Sequence, residues 1–300
     1  MDNIRLLNKM NKQYETATIV DDSENDNDND NDNDNDNDNN DLTKTKIKPE
    51  KTKKTRTIQQ PLNKWHNEDP AIYEIGVDEV GRGPLFGRVY TAAVILPKDD
   101  SFDHGRMKDS KKFHSKKKIE EVAEYIKSNA LAWYISYEDE KTIDEINILQ
   151  ATQQSMRKSI LEVRSQFNSL MKERTKEQEQ KDNQQKKEEF KDYNYFLLID
   201  GNYFNPITLM NKKTNKMEQL KHTCIEGGDN KYSAIAAASI LAKVERDRYI
   251  EELCAQNPTL AEYYGIDSNK GYGAKKHMDG IKEHGITIWH RRTFGICKSF

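Results

Sequence analysis

Four acidic residues stand where an apolar run or a glycine-containing turn ends, and their types suit metal binding. Asp78 and Glu79 are adjacent, while Asp200 and Asp229 lie far along the chain. Two neighbouring carboxylates repel each other unless a cation lies between them. Four sets of carboxylate oxygens suit Mg²⁺ or Mn²⁺ and do not suit zinc. The set therefore predicts a divalent-metal site, and the alternative is a surface hairpin with solvated acids.

A glycine turn follows the first two acids and reads Gly81-Arg82-Gly83-Pro84. Glycines let a backbone come close to a phosphate or a sugar, and Arg82 supplies a charged fork. This composition predicts a loop that contacts nucleic acid beside the metal site. Neighbouring side chains on a strand point to opposite faces. For the two acids to share a site, we therefore expect the chain to leave regular strand geometry there, which Gly81 permits.

The elements that must position these residues alternate between short apolar runs and segments of helical periodicity. This alternation predicts a single α/β domain over residues 66–300. A loop or hairpin is expected between residue 202 and about residue 225. The predicted strands cover residues 73–77, 89–96, 131–137 and 195–199, and the predicted helices are one that Ser115 caps and three over residues 143–167, 232–253 and 275–284.

Two segments contain too few apolar residues to join a core. Residues 1–65 form a predicted disordered arm, in which the Asn-Asp alternation of residues 25–38 precedes a Lys-rich tract. The arm either masks its own basic tract from nucleic acid or is a repeat expansion without a role. Residues 171–191, rich in Lys, Glu and Gln, form either an exposed helical extension or a flexible insertion.

The overall composition narrows the class of protein. The 300 residues are 34% hydrophobic and 33% charged with a net charge of -3, so any basic footprint for nucleic acid must be local. Cys224, Cys254 and Cys297 have no CxxC spacing, which predicts reduced thiols and no zinc site. Without a membrane-span or signal-peptide pattern, we expect an intracellular, cytoplasmic location, with the nucleus as the alternative.

Seven short motifs follow one another in order between residues 73 and 294. They are Val77-Asp78-Glu79-Val80-Gly81-Arg82-Gly83-Pro84, Asp109-Ser110-Lys111-Lys112, Asn147-Ile148-Leu149-Gln150-Ala151, Ile199-Asp200-Gly201, Gly228-Asp229, Ala236-Ala237-Ala238-Ser239-Ile240-Leu241-Ala242-Lys243-Val244 and Lys270-Gly271-Tyr272-Gly273. This ordered set resembles the motif series of ribonuclease HII, a type 2 ribonuclease H. The resemblance implies an α/β, ribonuclease H-like fold, with a mixed central sheet flanked by helices and a C-terminal helical segment.

The resemblance also implies an activity and the residues that perform it. A ribonuclease HII is a divalent-metal-dependent endoribonuclease that cleaves the RNA strand of RNA–DNA hybrids and incises at ribonucleotides embedded in duplex DNA. Asp78, Glu79, Asp200 and Asp229 match the four catalytic, metal-binding acids of the family. Two Mg²⁺ or Mn²⁺ ions about 4 Å apart would activate water and stabilise the leaving oxygen, with Asp78 bridging them.

A further part of the resemblance concerns how the substrate is recognised. Gly81-Arg82-Gly83 and Tyr272 match the elements that sense the 2′-hydroxyl next to a DNA residue. That hydroxyl is the one local group that separates RNA from DNA, and backbone groups of a glycine turn can approach it. The ring of Tyr272 can pack against the neighbouring deoxyribose, where an extra hydroxyl would be crowded.

Four cations are candidates for phosphate contacts, namely Lys111, Lys112, Lys243 and Arg246, and the alternative is a solvated or salt-bridged surface charge. His290, near the tail, is expected to be structural. The implied partners are an RNA–DNA hybrid or DNA containing ribonucleotides, without a membrane, and the chain is expected to act as a monomer. Two alternatives remain open: a non-catalytic hybrid-binding module, and a catalytic subunit that requires partner chains.

Overall fold

The computed structural model describes residues 61–181, 193–211 and 214–300, with the backbone alone for residues 178–181. Residues 1–60 of the predicted arm and residues 182–191 of the predicted insertion lie outside the described residues. Leu62 and Asn63, which the sequence pattern assigns to the arm, pack on the folded domain. Leu62 contacts the apolar core, and the backbone of Asn63 bonds to Lys231 and Ser233.

A mixed five-stranded sheet lies at the centre of the described residues. The seven strands are β1 (Ile72–Val80), β2 (Val89–Ile95), β3 (Ala132–Glu138), β4 (Asn194–Asp200), β5 (Thr208–Asn211), β6 (Lys216–Gln219) and β7 (Lys221–Ile225). The central sheet has the order β3-β2-β1-β4-β7, and β5 and β6 form a separate hairpin. β1, β2 and β3 are antiparallel neighbours, whereas β4 is parallel to β1 and to β7. The mixed sheet confirms the fold class that the resemblance implies.

Helices cover both faces of this sheet. The helices are α1 (Lys116–Asn129), α2 (Glu140–Lys181), α3 (Ser233–Gln256), α4 (Thr259–Tyr264), α5 (Ile266–Asn269) and α6 (Lys275–His284). α2 is interrupted at Asn147, whose backbone has a φ of 67° and a ψ of 161°. α4, α5 and α6 make up the predicted C-terminal helical segment.

The alanine-rich helix α3 packs directly against β1. A Cβ atom added at Gly76 would lie 2.1 Å from the backbone carbon of Ala234, so strand and helix touch backbone to backbone. Ala236, Ala237 and Ala238 are all buried, because small side chains allow this close approach. The contact fixes the start of α3, and the loop before it, beside the carboxyl end of β1.

The opposite face of the sheet is covered by α2. Met156, Ile160, Val163 and Phe167 recur every three or four residues and pack against strand residues such as Ile75. Burying each of these side chains contributes roughly 1.5–3 kcal/mol. This stripe confirms the predicted helical face. The helix continues through residues 171–181, so over those residues the helical-extension alternative is the correct one.

Some elements differ from the sequence-based predictions. β7 joins the sheet at its edge, but its five residues, Lys221–Ile225, mix polar and apolar types and predicted only a loop or hairpin. α3 runs to Gln256, three residues beyond the predicted end, and Pro258 starts the next helix. Among the helices that the structure describes, none combines the length and the apolar character needed to cross a bilayer.

Candidate active site

The register of the sheet brings Asp78 and Asp200 side by side. The parallel pairing of β1 with β4 ends at Val77 and Ile199, so each acid is the residue after the last pair. Parallel strands present their carboxyl ends at the same edge of a sheet. One carboxylate oxygen from each of Asp78, Glu79 and Asp200 lies within 4.8 Å of the other two. Three of the four predicted acids therefore form one cluster.

The prediction that the chain leaves strand geometry at the first two acids is wrong. β1 keeps its antiparallel pairing with β2 through Val80, and Glu79 stands opposite Thr91. β4 no longer pairs with β1 beyond Val77, so both side chains have room at that edge. The backbone N–H of Glu79 also donates to Oδ1 of Asp78 at 2.7 Å, which holds the Asp78 carboxylate against the strand end.

Burial sets the electrostatics of the cluster. Asp78 is 5% exposed, and burial, followed by the charges of Glu79 and Asp200, raises its pKa well above the usual range. Burial also raises the pKa of Glu79, although Arg82, whose Nη1 lies 3.2 Å from Oε1 of Glu79, opposes the shift. A hydrogen bond from Ser239 favours the ionised form of Asp78. Buried like charges with only oxygen donors fit a hard divalent cation, which would offset their repulsion.

Asp229 lies beside this group and outside its 4.8 Å limit. It belongs to a short 3-10 helix, Gly228–Asn230, whose first amide donates to Oδ1 of Asp200 at 2.6 Å. Burial, and then the charges of Asp109 and Asp200, raise the pKa of Asp229. The fourth predicted acid thus faces the same electrostatic environment from the neighbouring loop.

Two of the predicted phosphate-binding cations stand next to Asp229. Lys111 and Lys112 are exposed. The Lys111 ammonium lowers the pKa of Asp229, against the effect of burial. Nζ of Lys112 donates to the Asn230 side chain, which also donates to Oδ1 of Asp229 at 3.2 Å. Both lysines remain candidates for phosphate contacts at the edge of the acidic cluster.

The other two predicted phosphate contacts lie on α3 and differ from each other. Nζ of Lys243 is paired with Asp247 at 2.5 Å, and its side chain is 30% exposed. Arg246 is 1% exposed, which does not agree with a phosphate contact. Its guanidinium is used inside the protein, because it donates to the backbone carbonyl oxygens of Phe86, Arg88 and Lys270.

The structure places the glycine turn against the loop that carries Tyr272. A Cβ atom added at Gly83 would lie 3.6 Å from Cε1 of Tyr272. The amide of Leu85 donates to the carbonyl of Gly271 at 2.9 Å, which joins the two loops through their backbones. The Tyr272 ring is 49% exposed and is available to a ligand. The two predicted sensor elements are therefore neighbours.

Ser239 and Arg291 are polar residues that the fold buries here, and the sequence patterns assign neither of them a role. Ser239 bonds to Asp78, and its Oγ lies 3.0 Å from Oγ of Ser110. A single polar residue within an alanine-rich apolar run was a usable signal for it. Arg291 is completely buried behind the glycine turn. No pattern in the tail sequence distinguishes it from its exposed neighbour Arg292.

A mixed sheet flanked by helices, with carboxylates at the ends of adjacent parallel strands, is the architecture of the ribonuclease H-like fold class. The family model for Ribonuclease HII matches residues 75–297. The chain therefore belongs to the ribonuclease HII family, and it is a ribonuclease H-type endonuclease.

Two relatives identified by sequence agree with this membership. The Ribonuclease HII of Bacteroides thetaiotaomicron is 39% identical over 227 residues, covering 75% of this chain and 90% of that protein. The Ribonuclease HII of Pelagibacter ubique is 39% identical over 222 residues, covering 73% and 94%. Among solved structures, the chain is similar to ribonuclease H2 from Pyrococcus horikoshii OT3, with a TM-score of 0.49, 21% identity and coverage of 76% of this chain and 96% of that one.

Proposed function

We propose that this enzyme cleaves the RNA strand of RNA–DNA hybrids and incises duplex DNA at embedded ribonucleotides. Asp78, Glu79, Asp200 and Asp229 are its catalytic acids, and they would hold Mg²⁺ or Mn²⁺ ions. The observation that carries the proposal is the cluster of three carboxylates within 4.8 Å, at the ends of two adjacent parallel strands.

The chemistry follows from the donor set. Asp78, Glu79, Asp200 and Asp229 would hold the divalent cations, which when bound would supply an activated water and a stabilised leaving oxygen for phosphodiester hydrolysis. Asp78 is buried, and its carboxylate accepts hydrogen bonds from the Glu79 amide and from Ser239. Asp229 completes the acidic edge, and Lys111 beside it balances part of the negative charge. The hydrogen bonds to Asp78 and Asp200 hold these two carboxylates in position for a cation.

Substrate recognition is assigned to the adjoining loops. Gly81-Arg82-Gly83 and the exposed ring of Tyr272 form one surface next to the acids. Backbone N–H groups in the turn contact the ribose 2′-hydroxyl, and the Tyr272 ring packs on the following deoxyribose. Lys111, Lys112 and Lys243 contact phosphates of the duplex, which would make binding weaker at higher salt concentration.

The decisive experiment is an incision assay with the purified chain. A DNA duplex carrying one ribonucleotide is incubated with the protein and either Mg²⁺ or Mn²⁺, and the products are resolved by size. We expect incision at the ribonucleotide and none in an all-DNA duplex. No incision with either metal would contradict the proposal. Binding without incision would favour the non-catalytic module, and incision only after addition of a cell extract would favour a subunit that needs partner chains.

Asp78→Asn provides the matched variant for this assay. The substitution keeps the shape of the side chain and removes one negative charge, so we expect incision to fall below detection while circular dichroism shows a folded protein. Asp99→Asn changes an exposed aspartate in the loop after β2 and should leave the rate unchanged. Equal rates for Asp78→Asn and the unaltered chain would remove Asp78 from the catalytic group.

A further inference from the structure

The glycine turn between β1 and β2 directs its carbonyl groups at one buried arginine. Arg291 is 0% exposed. Its backbone N–H donates to the carbonyl of Leu85 at 2.8 Å. Its guanidinium donates to four further carbonyl oxygens, those of Gly81 at 2.6 Å, Arg82 at 3.1 Å, Pro84 at 2.9 Å and Gly87 at 2.8 Å.

These hydrogen bonds also fix where the amide groups of the turn point. A trans peptide places its C=O and N–H on opposite sides, and no cis peptide occurs in the described residues. Because the carbonyls of Gly81 and Arg82 face Arg291, the N–H groups of Arg82 and Gly83 face away from it. Over residues 61–181, 193–211 and 214–300, neither N–H donates to a protein acceptor. Both remain available to a ligand.

The turn needs such an anchor because glycine does not fix its own conformation. Gly81 has a φ of +89°, and Gly83 has no side chain that restrains the peptide. Without Arg291, rotation of the two peptides would exchange carbonyl for amide on the exposed side. A carbonyl oxygen there would accept a hydrogen bond from a hydroxyl, but it would repel phosphate oxygens nearby.

An arginine is suited to this position and a lysine is not. The planar guanidinium has five donors in a fixed fork, whereas an ammonium group is a compact point charge on a flexible stem. Burial lowers the pKa of Arg291 to about 9, so the group stays protonated at neutral pH. A buried charge is tolerated only when it is hydrogen-bonded, and the four carbonyls satisfy that requirement.

We propose that Arg291 is a positioning residue for ribose recognition, which holds the glycine turn so that the N–H groups of Arg82 and Gly83 are presented to the 2′-hydroxyl. The inference rests on the proposed function, because it deepens the account of that same surface. Arg291 itself is too deeply buried to touch the substrate.

The test compares two substrates on the full chain. We define the preference ratio as the initial rate on a DNA duplex with one ribonucleotide divided by the rate on a continuous RNA–DNA hybrid. Loss of folded protein lowers both rates equally, so the ratio reports on the turn alone. For Arg291→Lys we expect the preference ratio to fall about tenfold, since the single hydroxyl must then be recognised by a mispositioned turn.

The neighbouring Arg292→Lys is the matched control, because Arg292 is exposed and the substitution keeps its charge. Its preference ratio should equal that of the unaltered chain. If the unaltered chain incises at the single ribonucleotide and Arg291→Lys has an unchanged ratio, the positioning inference is wrong and the proposed function stands. If the unaltered chain incises neither substrate, the proposed function itself fails.

A second variant covers the case in which Arg291→Lys does not fold. The Phe294 ring lies 5.1 Å from the guanidinium carbon of Arg291, so Phe294→Leu loosens the arginine without removing it. We expect this variant to lower the preference ratio about threefold, with thermal unfolding confirming that it is folded. A folded Phe294→Leu protein with an unchanged ratio would overturn the inference.

Discussion

The backbone N–H of Gly228 donates a 2.6 Å hydrogen bond to Oδ1 of Asp200. This bond joins the loop that carries Asp229 to the end of β4, although 28 residues separate the donor from the acceptor in the chain. Asp200 thereby keeps one oxygen fixed by the loop, and Asp229 is placed by the next peptide. Asp200 and Asp229 are therefore coupled in position. A shift of the end of β4, or of the loop that carries Asp229, displaces both acids.

We predict that Gly228→Ala damages this assembly. A Cβ atom there would lie 2.5 Å from Cδ1 of Ile235 and 3.2 Å from Oδ1 of Asp200. The buried Ile235 side chain has to shift, and the Asp200 carboxylate must move or lose its hydrogen bond, so kcat for incision should fall at least about tenfold. The free energy of unfolding should fall by only about 1–2 kcal/mol. Steady-state incision kinetics and urea unfolding measure the two effects.

The control for this prediction is Gly105→Ala, in a short 3-10 helix after β2. There a Cβ atom would meet only Oδ1 of Asp103, at 3.1 Å. Its kcat should match that of the unaltered chain. A Gly228→Ala enzyme with full kcat would mean that the link between Gly228 and Asp200 does not position either acid.

Tyr272→Ala should change substrate preference more than stability. The ring is half exposed and lies beside Gly83, so its removal should alter the free energy of unfolding by less than about 0.5 kcal/mol. The preference ratio should fall several-fold, because the neighbouring deoxyribose loses its packing partner. Tyr263→Ala, which removes another partly exposed ring on α4, is the control. Equal ratios for both variants would exclude a sensor role for Tyr272.

Two buried histidines beneath the Tyr272 loop make stability depend on pH. Nδ1 of His277 lies 2.8 Å from the Tyr272 carbonyl, so it carries a proton. Nδ1 of His290 accepts from the Thr287 amide at 2.9 Å, so the proton of His290 is on Nε2. The two Nε2 atoms are 3.0 Å apart, so Nε2–H of His290 donates to Nε2 of His277. Both rings are therefore neutral, and His290 has the structural role that the sequence suggested.

We predict that His290 lowers the free energy of unfolding as the pH falls below about 6.5, seen as a difference in slope from His290→Gln, because the raised pKa values of Asp78, Glu79 and Asp229 act in the opposite direction in both proteins. Burial, followed by the repulsion that a protonated His277 would exert, lowers the pKa of His290 from 6.5 to about 3. Between these values the unfolded chain binds a proton that the folded chain excludes. The contribution of His290 to the free energy of unfolding is therefore fully present above the pKa of the unfolded chain. It is lost by up to about 1.4 kcal/mol per pH unit as the pH falls. Urea unfolding from pH 7.5 to 5 in EDTA measures the slope.

His290→Gln should reduce that slope, although the variant is less stable at every pH. The exposed His114 provides the control, and His114→Gln should leave the slope unchanged. If His290→Gln and the unaltered chain lose stability in parallel between pH 6.5 and pH 5, the buried pair is not the source of the pH dependence.

The acidic cluster could be predicted because it depends on a short sequence pattern and on a geometry common to all parallel sheets. An apolar run that ends in an acid places that acid at the end of a strand, and two parallel strands then present their ends together. Asp78 and Asp200 follow this rule. The apolar stripe on α2 could be predicted for a similar reason, because a helix that buries one face has apolar residues every three or four positions.

The remaining features depend on contacts between distant parts of the chain. Arg246 and Arg291 have the same sequence appearance as surface arginines, and only the fold reveals the carbonyl oxygens that surround them. β7 is part of the sheet because it pairs with β4. Its mixture of polar and apolar residues does not predict that pairing. The strand continues through Glu79 because β1 stays paired with β2 there. The alternation of side chains along one strand carries no information about that pairing.

The central claim is that acids from separate strands hold a divalent cation, and a Mn²⁺ titration followed by electron paramagnetic resonance tests it most directly. We predict saturable Mn²⁺ binding by the unaltered chain and by Asp99→Asn, with affinity at least about tenfold weaker in Asp78→Asn and in Asp200→Asn. Equal Mn²⁺ affinity in all four proteins would contradict the account, because the cluster would then not be the metal site.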